Sequence, residues 1–422
     1  MYDATAMHEH APARLHGVDS LRALMMLLGI VLHVALSFIE GPATGEWVYR
    51  DPQRSPAAGL IFLAIHVFRM PVFFVMAGIF AALIWHRQGV SGFIRHRIYR
   101  LLLPLLAGWI VLFPIVKWAI VWGLAAQTPE QELPPVAGLA LLVATRPWSD
   151  PNLIHLWFLY QLLLLCAVAV LLCCAWRVMP VRAHDWGRRF QSTLVVGRLR
   201  WLRVPILVIA TALCLTQSAE PILETSASLL PPLRVLGGYA VCFFGGWVFM
   251  LTPGALQCLQ RHAWLKLTVG VLAMIVAVLA SISWFAIRFG DPTATARISP
   301  IVALRTAQWA NAIAIWLIAL GGIGVLERVL TRPIGWVRSL CEASFWIYLV
   351  HLPLCLASVI MLRAWDASAI AKMLVAIAST LFVSLLTFWA ARAVVGVRMR
   401  RPQAALAPAP RAPQLDHTPR VV

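Results

Sequence analysis

Histidines and arginines stand in this chain where apolar runs give them no solvating company. Arg22 and His33 lie in LRALMMLLGIVLHVALSF, His66 and Arg69 in FLAIHVFRMPVFFVMAG, and Tyr348 and His351 in CEASFWIYLVHLPL. A histidine titrates near neutrality and, kept neutral by burial, can act as general base on a hydroxyl. An arginine can bind phosphate, or hold a carbonyl oxygen as negative charge develops on it. Such residues can activate a hydroxyl, bind a phosphate or polarise an acyl carbonyl. No metal is expected, because none of the eight cysteines shows ligand spacing with histidine and most sit in apolar runs as small hydrophobes.

The spacing gives each group a face and a depth. Arg22 and His33 are eleven residues apart, which at about 100° per residue returns to nearly the same helix face. Their axial separation is roughly 16 Å, about half the hydrocarbon thickness of a bilayer. Asp19, three residues before Arg22, can pair with it, and Asp19 or Ser20 can cap the helix start. The plain alternative for Arg22 is an interfacial anchor, and for His33 a hydrogen bond to a backbone carbonyl. His66, Arg69 and Phe73 follow i, i+3, i+7 and share a face near mid-depth. Pro71, just beyond, removes a donor, frees a carbonyl and is expected to bend that long helix. Ser344, Tyr348 and His351 form a stripe at i, i+4, i+7, readable as site or as interhelical glue. In NLIHLWFLYQ, His155, Trp157 and Tyr160 are expected near the outer surface, in an aromatic belt or at a sugar-facing mouth. Arg305 and Lys117 read as interface or cavity residues.

The elements that must position these groups are membrane helices. The chain has 422 residues, 61% hydrophobic and 12% charged, with mean hydropathy +0.81. Apolar runs of about 20 residues recur along it, which identifies an all-α, polytopic integral membrane protein. The net charge of +18 would point to nucleic acid in a soluble chain. Here arginines cluster between alternate apolar runs, as in Arg95, Arg97, Arg100 and Arg182, Arg188, Arg189, while Asp51, Glu220, Glu224, Asp291 and Asp366 occupy the intervening loops. That alternation is the positive-inside pattern, so the partner is a bilayer and no nucleic acid is expected. Ten spans are expected near 20–39, 59–85, 101–123, 152–176, 204–219, 234–251, 264–286, 303–326, 341–361 and 369–392, with both termini cytoplasmic. The expected organisation is a cytoplasmic segment 1–19, one transmembrane domain 20–395 and a disordered basic Pro/Ala-rich tail 396–422. No cleavage site follows the first span, so a cleaved signal peptide is not expected.

At these residues the chain resembles the acyltransferase 3 family of membrane acyltransferases, whose mark is an arginine, ten residues and a histidine in the first span. The runs RLHGVDSLRALMMLLGIVLHVAL, HVFRMPVFFVMAGIFAALIWHRQGVSGFIRHRIYRLLLPL, HLWFLY and SFWIYLVHLP are similar to its glucan biosynthesis protein C branch, whose members succinylate periplasmic glucans. The resemblance covers about residues 14 to 395 and implies a multi-pass protein of the bacterial inner membrane. It implies transfer of an acyl group, succinyl in that branch, from cytoplasmic acyl-CoA to a sugar hydroxyl of a periplasmic glucan or other polysaccharide, with no permanently bound cofactor. On this resemblance His33, Arg22 and Asp19 form the catalytic set. Arg69, His66, Tyr348, His351, His155 and Trp157 line the donor or acceptor path. Arg95, Arg97 and Arg100 are candidates for the donor's phosphates, or ordinary inner-face charge.

Three other readings are open to the same sequence. A secondary transporter of an anion or sugar would use the same midplane groups, but neither inverted repeats nor broken helices stand out. An O-acetyltransferase acting on a different surface glycan would share every motif. A purely structural subunit gives no reason for midplane histidine and arginine.

Overall fold

Apolar runs become helices throughout the computed structural model, which describes residues 16–40, 47, 49–125, 152–330 and 335–395. In chain order these are α1 (His16–Ala35), α2 (Pro56–Arg97), α3 (Leu103–Ala125), α4 (Trp157–Arg177), α5 (Val181–Val195), α6 (Arg203–Leu215), α7 (Leu233–Leu251), α8 (Ala255–Gln260), α9 (Ala263–Arg288), α10 (Pro292–Arg297), α11 (Pro300–Val329), α12 (Gly335–Met361) and α13 (Ala369–Val395). No strand occurs among the described residues. The expected N-terminal segment as far as residue 15 and the tail 396–422 lie outside them.

Among the described residues, eight segments are long and apolar enough to cross a membrane. One of them, Pro56–Ala125, runs for 70 residues, roughly 105 Å, more than three hydrocarbon thicknesses. It therefore holds two spans, α2 and α3, joined through a π-helical turn at Ile98–Leu102. With the short apolar helix Arg203–Leu215, these account for the ten expected segments. The fold is that of an all-α polytopic membrane protein.

The bend expected at Pro71 falls elsewhere. Pro71 sits inside the continuous part of α2, and the non-helical residue is Gly89, at φ 63°. The reason lies in the freed carbonyl. Pro71 cannot donate to Val67 four residues back, and the Asn311 side-chain amide of α11 donates to that oxygen instead, at 3.1 Å. A tertiary hydrogen bond thus mends the ladder that the proline breaks. At the start of α2, Ser55 accepts from the Ala57 N–H at 3.3 Å, with Pro56 in the first turn where its missing donor is harmless.

Packing places α1 at the centre. Its Leu21, Met25 and Met26 join a core built with α2, α4, α7 and α11. Its Ala23, Ile30 and Val34 join a second core with α3, α12 and α13. The helix is thus clamped on two sides, which fixes the azimuth of every residue on it. Where α2 and α7 meet, backbone touches backbone. A Cβ on Gly78 would stand 1.9 Å from the Phe243 carbonyl oxygen, and one on Gly246 2.0 Å from that of Val75.

Candidate functional site

α1 carries Arg22 and His33 on one face, as the spacing predicts. Its first turn differs from expectation. The helix extends back to His16, so Asp19 lies within its first turn. The Val18 N–H donates to the Glu327 carboxylate at 2.9 Å, so α11 supplies the cap from 309 residues away. Arg22 sits at this end, 3.8 Å from the Asp19 carboxylate, donating at 3.2 Å to the Cys341 carbonyl, and facing the Phe80 ring. The acid therefore orients the guanidinium from below, while part of Arg22 remains accessible.

Arg69 reaches α1 from α2. It is buried, and its guanidinium fills the space over Gly29, where a Cβ would stand 2.0 Å from Nη1. Gly29 and His33 are one turn apart on the same face, so Arg69 lies along α1 directly beneath the histidine. Its Nη2 touches the Met70 sulfur at 3.3 Å, its Nε has no partner, and no carboxylate among the described residues pairs with it. A buried cation with a spare donor is ready for an oxygen that becomes negative.

Around His33 stand two further histidines and an indole. The His33 and His351 ring centroids are 5.2 Å apart, and His351 lies 5.6 Å from His155, edge to face. Trp47, from the segment after α1, stacks on His33 at 5.7 Å, its indole N–H held by Ser37 at 2.9 Å. The Tyr348 hydroxyl donates to the His155 carbonyl at 2.7 Å. Buried and without a hydrogen-bond partner are Nδ1 of His33, Nδ1 of His155 and Nε2 of His351. Three such nitrogens beside a spare arginine donor form a polar centre prepared for a guest.

His155 departs most from expectation. It belongs not to an exposed outer belt but to this buried centre. The 3-10 turn Ile154–Leu156 re-aims it, and Ile154 adopts φ 44°, a left-handed conformation that a β-branched residue holds only at a cost of about 1–3 kcal/mol. Asn152 and the Leu153 N–H bond to Ala227 hold that turn in place. Trp157 likewise points inward. It is buried against Phe74 and Tyr239, so it is core rather than an exposed sugar platform. His66 shares no ring contact with the three histidines; it packs on Phe62 and faces the Leu223 backbone. Ser344 is satisfied by the Cys341 carbonyl at 2.8 Å. Arg305 binds the Thr216 carbonyl at 2.8 Å and Gln308, and Lys117 lies over the Phe113 ring, so both serve local packing.

Two features had escaped the sequence. Trp47 is a single aromatic in a polar stretch, and only its contact with His33 marks it. Lys372 lies in the apolar run of α13, fully buried 3.1 Å from the fully buried Asp51 and bonded also to Gln53 and the Arg363 carbonyl. This pair ties the segment bearing Trp47 to the bundle, helped by the Asp51 N–H bond to Ser37, the Ser55 N–H bond to Phe38, and the Arg50 side chain on the Leu36 carbonyl. A charge inside an apolar run was the available signal.

Proteins called glucans biosynthesis protein C from Salmonella paratyphi B, Salmonella heidelberg and Salmonella agona are each 30% identical to the chain over 153 residues. Those matches cover 36% of this chain and 37% of each relative, so the chain spans little more than a third of the relatives' length. No solved structure matches. The family described as an acyltransferase domain matches residues 15–389, from the first turn of α1 into α13, and so contains every residue of the centre. The chain belongs to the acyltransferase 3 family of membrane acyltransferases.

Proposed function

We propose that the chain is an O-acyltransferase that moves a succinyl group from cytoplasmic succinyl-CoA to hydroxyls of a periplasmic glucan, in a bacterial inner membrane with both termini cytoplasmic. One observation carries the reading: the Arg69 guanidinium lies against α1 one turn from His33, with a free donor and no counter-charge among the described residues. A general base and an oxyanion donor so placed are the two parts that acyl transfer to a hydroxyl requires.

Donor and acceptor meet from opposite ends. The nucleotide rests at the basic inner face, and the pantetheine arm follows α1 from Arg22 toward His33, a span of roughly 16 Å. Arg97 supports donor binding there. It is buried over the Phe93 ring with Nε and Nη2 unpartnered, beside Arg95 and Arg100. His33 takes the proton of the sugar hydroxyl as its oxygen attacks the thioester carbonyl, Arg69 holds the developing oxyanion, and the CoA thiolate leaves with that proton. The name of the Salmonella relatives favours a glucan as acceptor.

Purified protein in nanodiscs, given succinyl-CoA with and without a glucan oligosaccharide, tests this. Glucan-dependent CoA release lost in His33→Ala supports the reading. Solute exchange across vesicles without CoA release refutes it in favour of transport.

A further inference from the structure

The two histidines beside His33 have their tautomers fixed by backbone. His351 Nδ1 lies 2.7 Å from the Tyr348 carbonyl and 3.2 Å from that of Ile347. A carbonyl oxygen only accepts, so Nδ1 carries the hydrogen and the neutral ring presents Nε2 as a bare lone pair. That Nε2 is buried and unpartnered. His155 is fixed likewise. Pro353, inside α12, has no N–H to give to Leu349 four residues back, and His155 Nε2 fills that place at 2.9 Å. His155 Nε2 therefore carries its hydrogen, and its Nδ1 is bare.

A base at His33 needs what His351 offers. A neutral imidazole has one N–H and one lone pair, and once it takes a proton both nitrogens must donate. His33 Nδ1 is sealed without a partner, which leaves Nε2 to meet the acceptor. Among the described residues, the charged and titratable groups acting on the His33 ring are His351, Arg69, His155 and His66. None of these is an anion. Of the two histidines with bare nitrogens, His351 is the one in ring contact with His33.

We propose that His351 is the positioning partner of His33: the two nitrogens share no hydrogen bond in this structure, and rotation of the rings, whose centroids are 5.2 Å apart, lets the bare His351 Nε2 accept the His33 Nδ1–H so that His33 Nε2 is held as the base. The inference rests on His33 being the base of acyl transfer. The hydroxyl proton passes to His33 Nε2 as the oxygen bonds to the thioester carbonyl carbon. Collapse breaks the C–S bond, and the departing thiolate takes that same proton from Nε2. The Nδ1–H stays on His33 throughout, stabilised by His351, and no net proton remains. The orienting part that a carboxylate plays in other catalytic triads is here played by a neutral imidazole. A neutral partner suits a low-dielectric centre, where a buried carboxylate would carry a large desolvation penalty.

The test compares His351→Leu, His351→Gln and His33→Ala in nanodiscs, with succinyl-CoA and a glucan oligosaccharide, reading kcat, donor KM and the pH profile of kcat/KM. Expected are a kcat loss of about 10²–10⁴-fold for His351→Leu with donor KM within about threefold, and partial recovery in His351→Gln, whose amide oxygen accepts at a similar place. The acidic limb of the profile should move in His351→Gln. Wild-type kcat in His351→Leu overturns the proposal, and so does an unchanged pH profile in His351→Gln, which also decides the matter if His351→Leu fails to fold. Full activity in His33→Ala removes the base itself and, with it, this inference. An inactive His33→Ala beside a fully active His351→Leu removes the partner alone.

Discussion

Gly29→Ala is a one-carbon perturbation aimed at Arg69. The added Cβ would stand 2.0 Å from Arg69 Nη1 and 3.3 Å from Cζ. Non-bonded heavy atoms rest at about 3.5 Å, so the guanidinium must retreat by roughly 1.5 Å. A misplacement on the order of 1 Å can lower a rate about 10²-fold, equivalent to about 2.7 kcal/mol in the barrier. Stability falls by about 0–2.5 kcal/mol. Alanine is favoured over glycine inside a helix by about 0.5–1 kcal/mol, which offsets part of an overpacking penalty of about 1–3 kcal/mol. The assay is initial-rate CoA release from succinyl-CoA in the presence of glucan, with thermal unfolding in the same nanodiscs. The expected outcome is a kcat reduced about 100-fold in a protein that still unfolds cooperatively. Coupling supplies the control. If the methyl acts through Arg69, then Gly29→Ala added to Arg69→Lys lowers kcat no further than Arg69→Lys alone. A Gly29→Ala enzyme within about threefold of wild type, or losses that multiply in the double variant, would refute the reasoning.

Other perturbations separate the supports of the centre from its chemistry. Pro353→Ala restores a donor to the Leu349 carbonyl, so it should leave Tm unchanged or higher while lowering kcat, because His155 loses its anchor. Asn311→Leu leaves the Val67 carbonyl buried without its partner and should lower stability by about 1–3 kcal/mol in denaturant unfolding. Lys372→Met strands the buried Asp51 carboxylate and should cost about 3–5 kcal/mol, whereas Lys372→Met with Asp51→Leu should recover much of that loss. Trp47→Ala removes a ring contact worth about 0.5–1.5 kcal/mol and should lower kcat/KM for the glucan several-fold, while Trp47→Phe keeps most of it.

Much of this molecule is legible in its sequence because the bilayer imposes local rules. Apolar runs give the helices, and eleven residues put Arg22 and His33 on one face without reference to any other part of the chain. Pro71 announces a freed carbonyl. That Asn311 would satisfy it, and so spare the helix a bend, depends on a residue 244 positions away. His155 looked like part of an outer belt because its position along the chain is terminal to a span. The left-handed Ile154 turn, which no periodicity encodes, brings it into the centre. Glu327 capping α1, Arg69 lying over Gly29 and Lys372 meeting Asp51 are likewise products of packing between distant segments. The residue types needed for the chemistry could be read from the chain; their mutual approach required the fold.

Mass spectrometry of periplasmic glucans tests the central claim most directly. Cells lacking the chain are complemented with wild type or with His33→Ala at matched protein level. The account predicts succinyl mass increments on the glucans with wild type and bare glucans with His33→Ala. Increments of equal abundance in the two strains, or no increment with wild type, would contradict it.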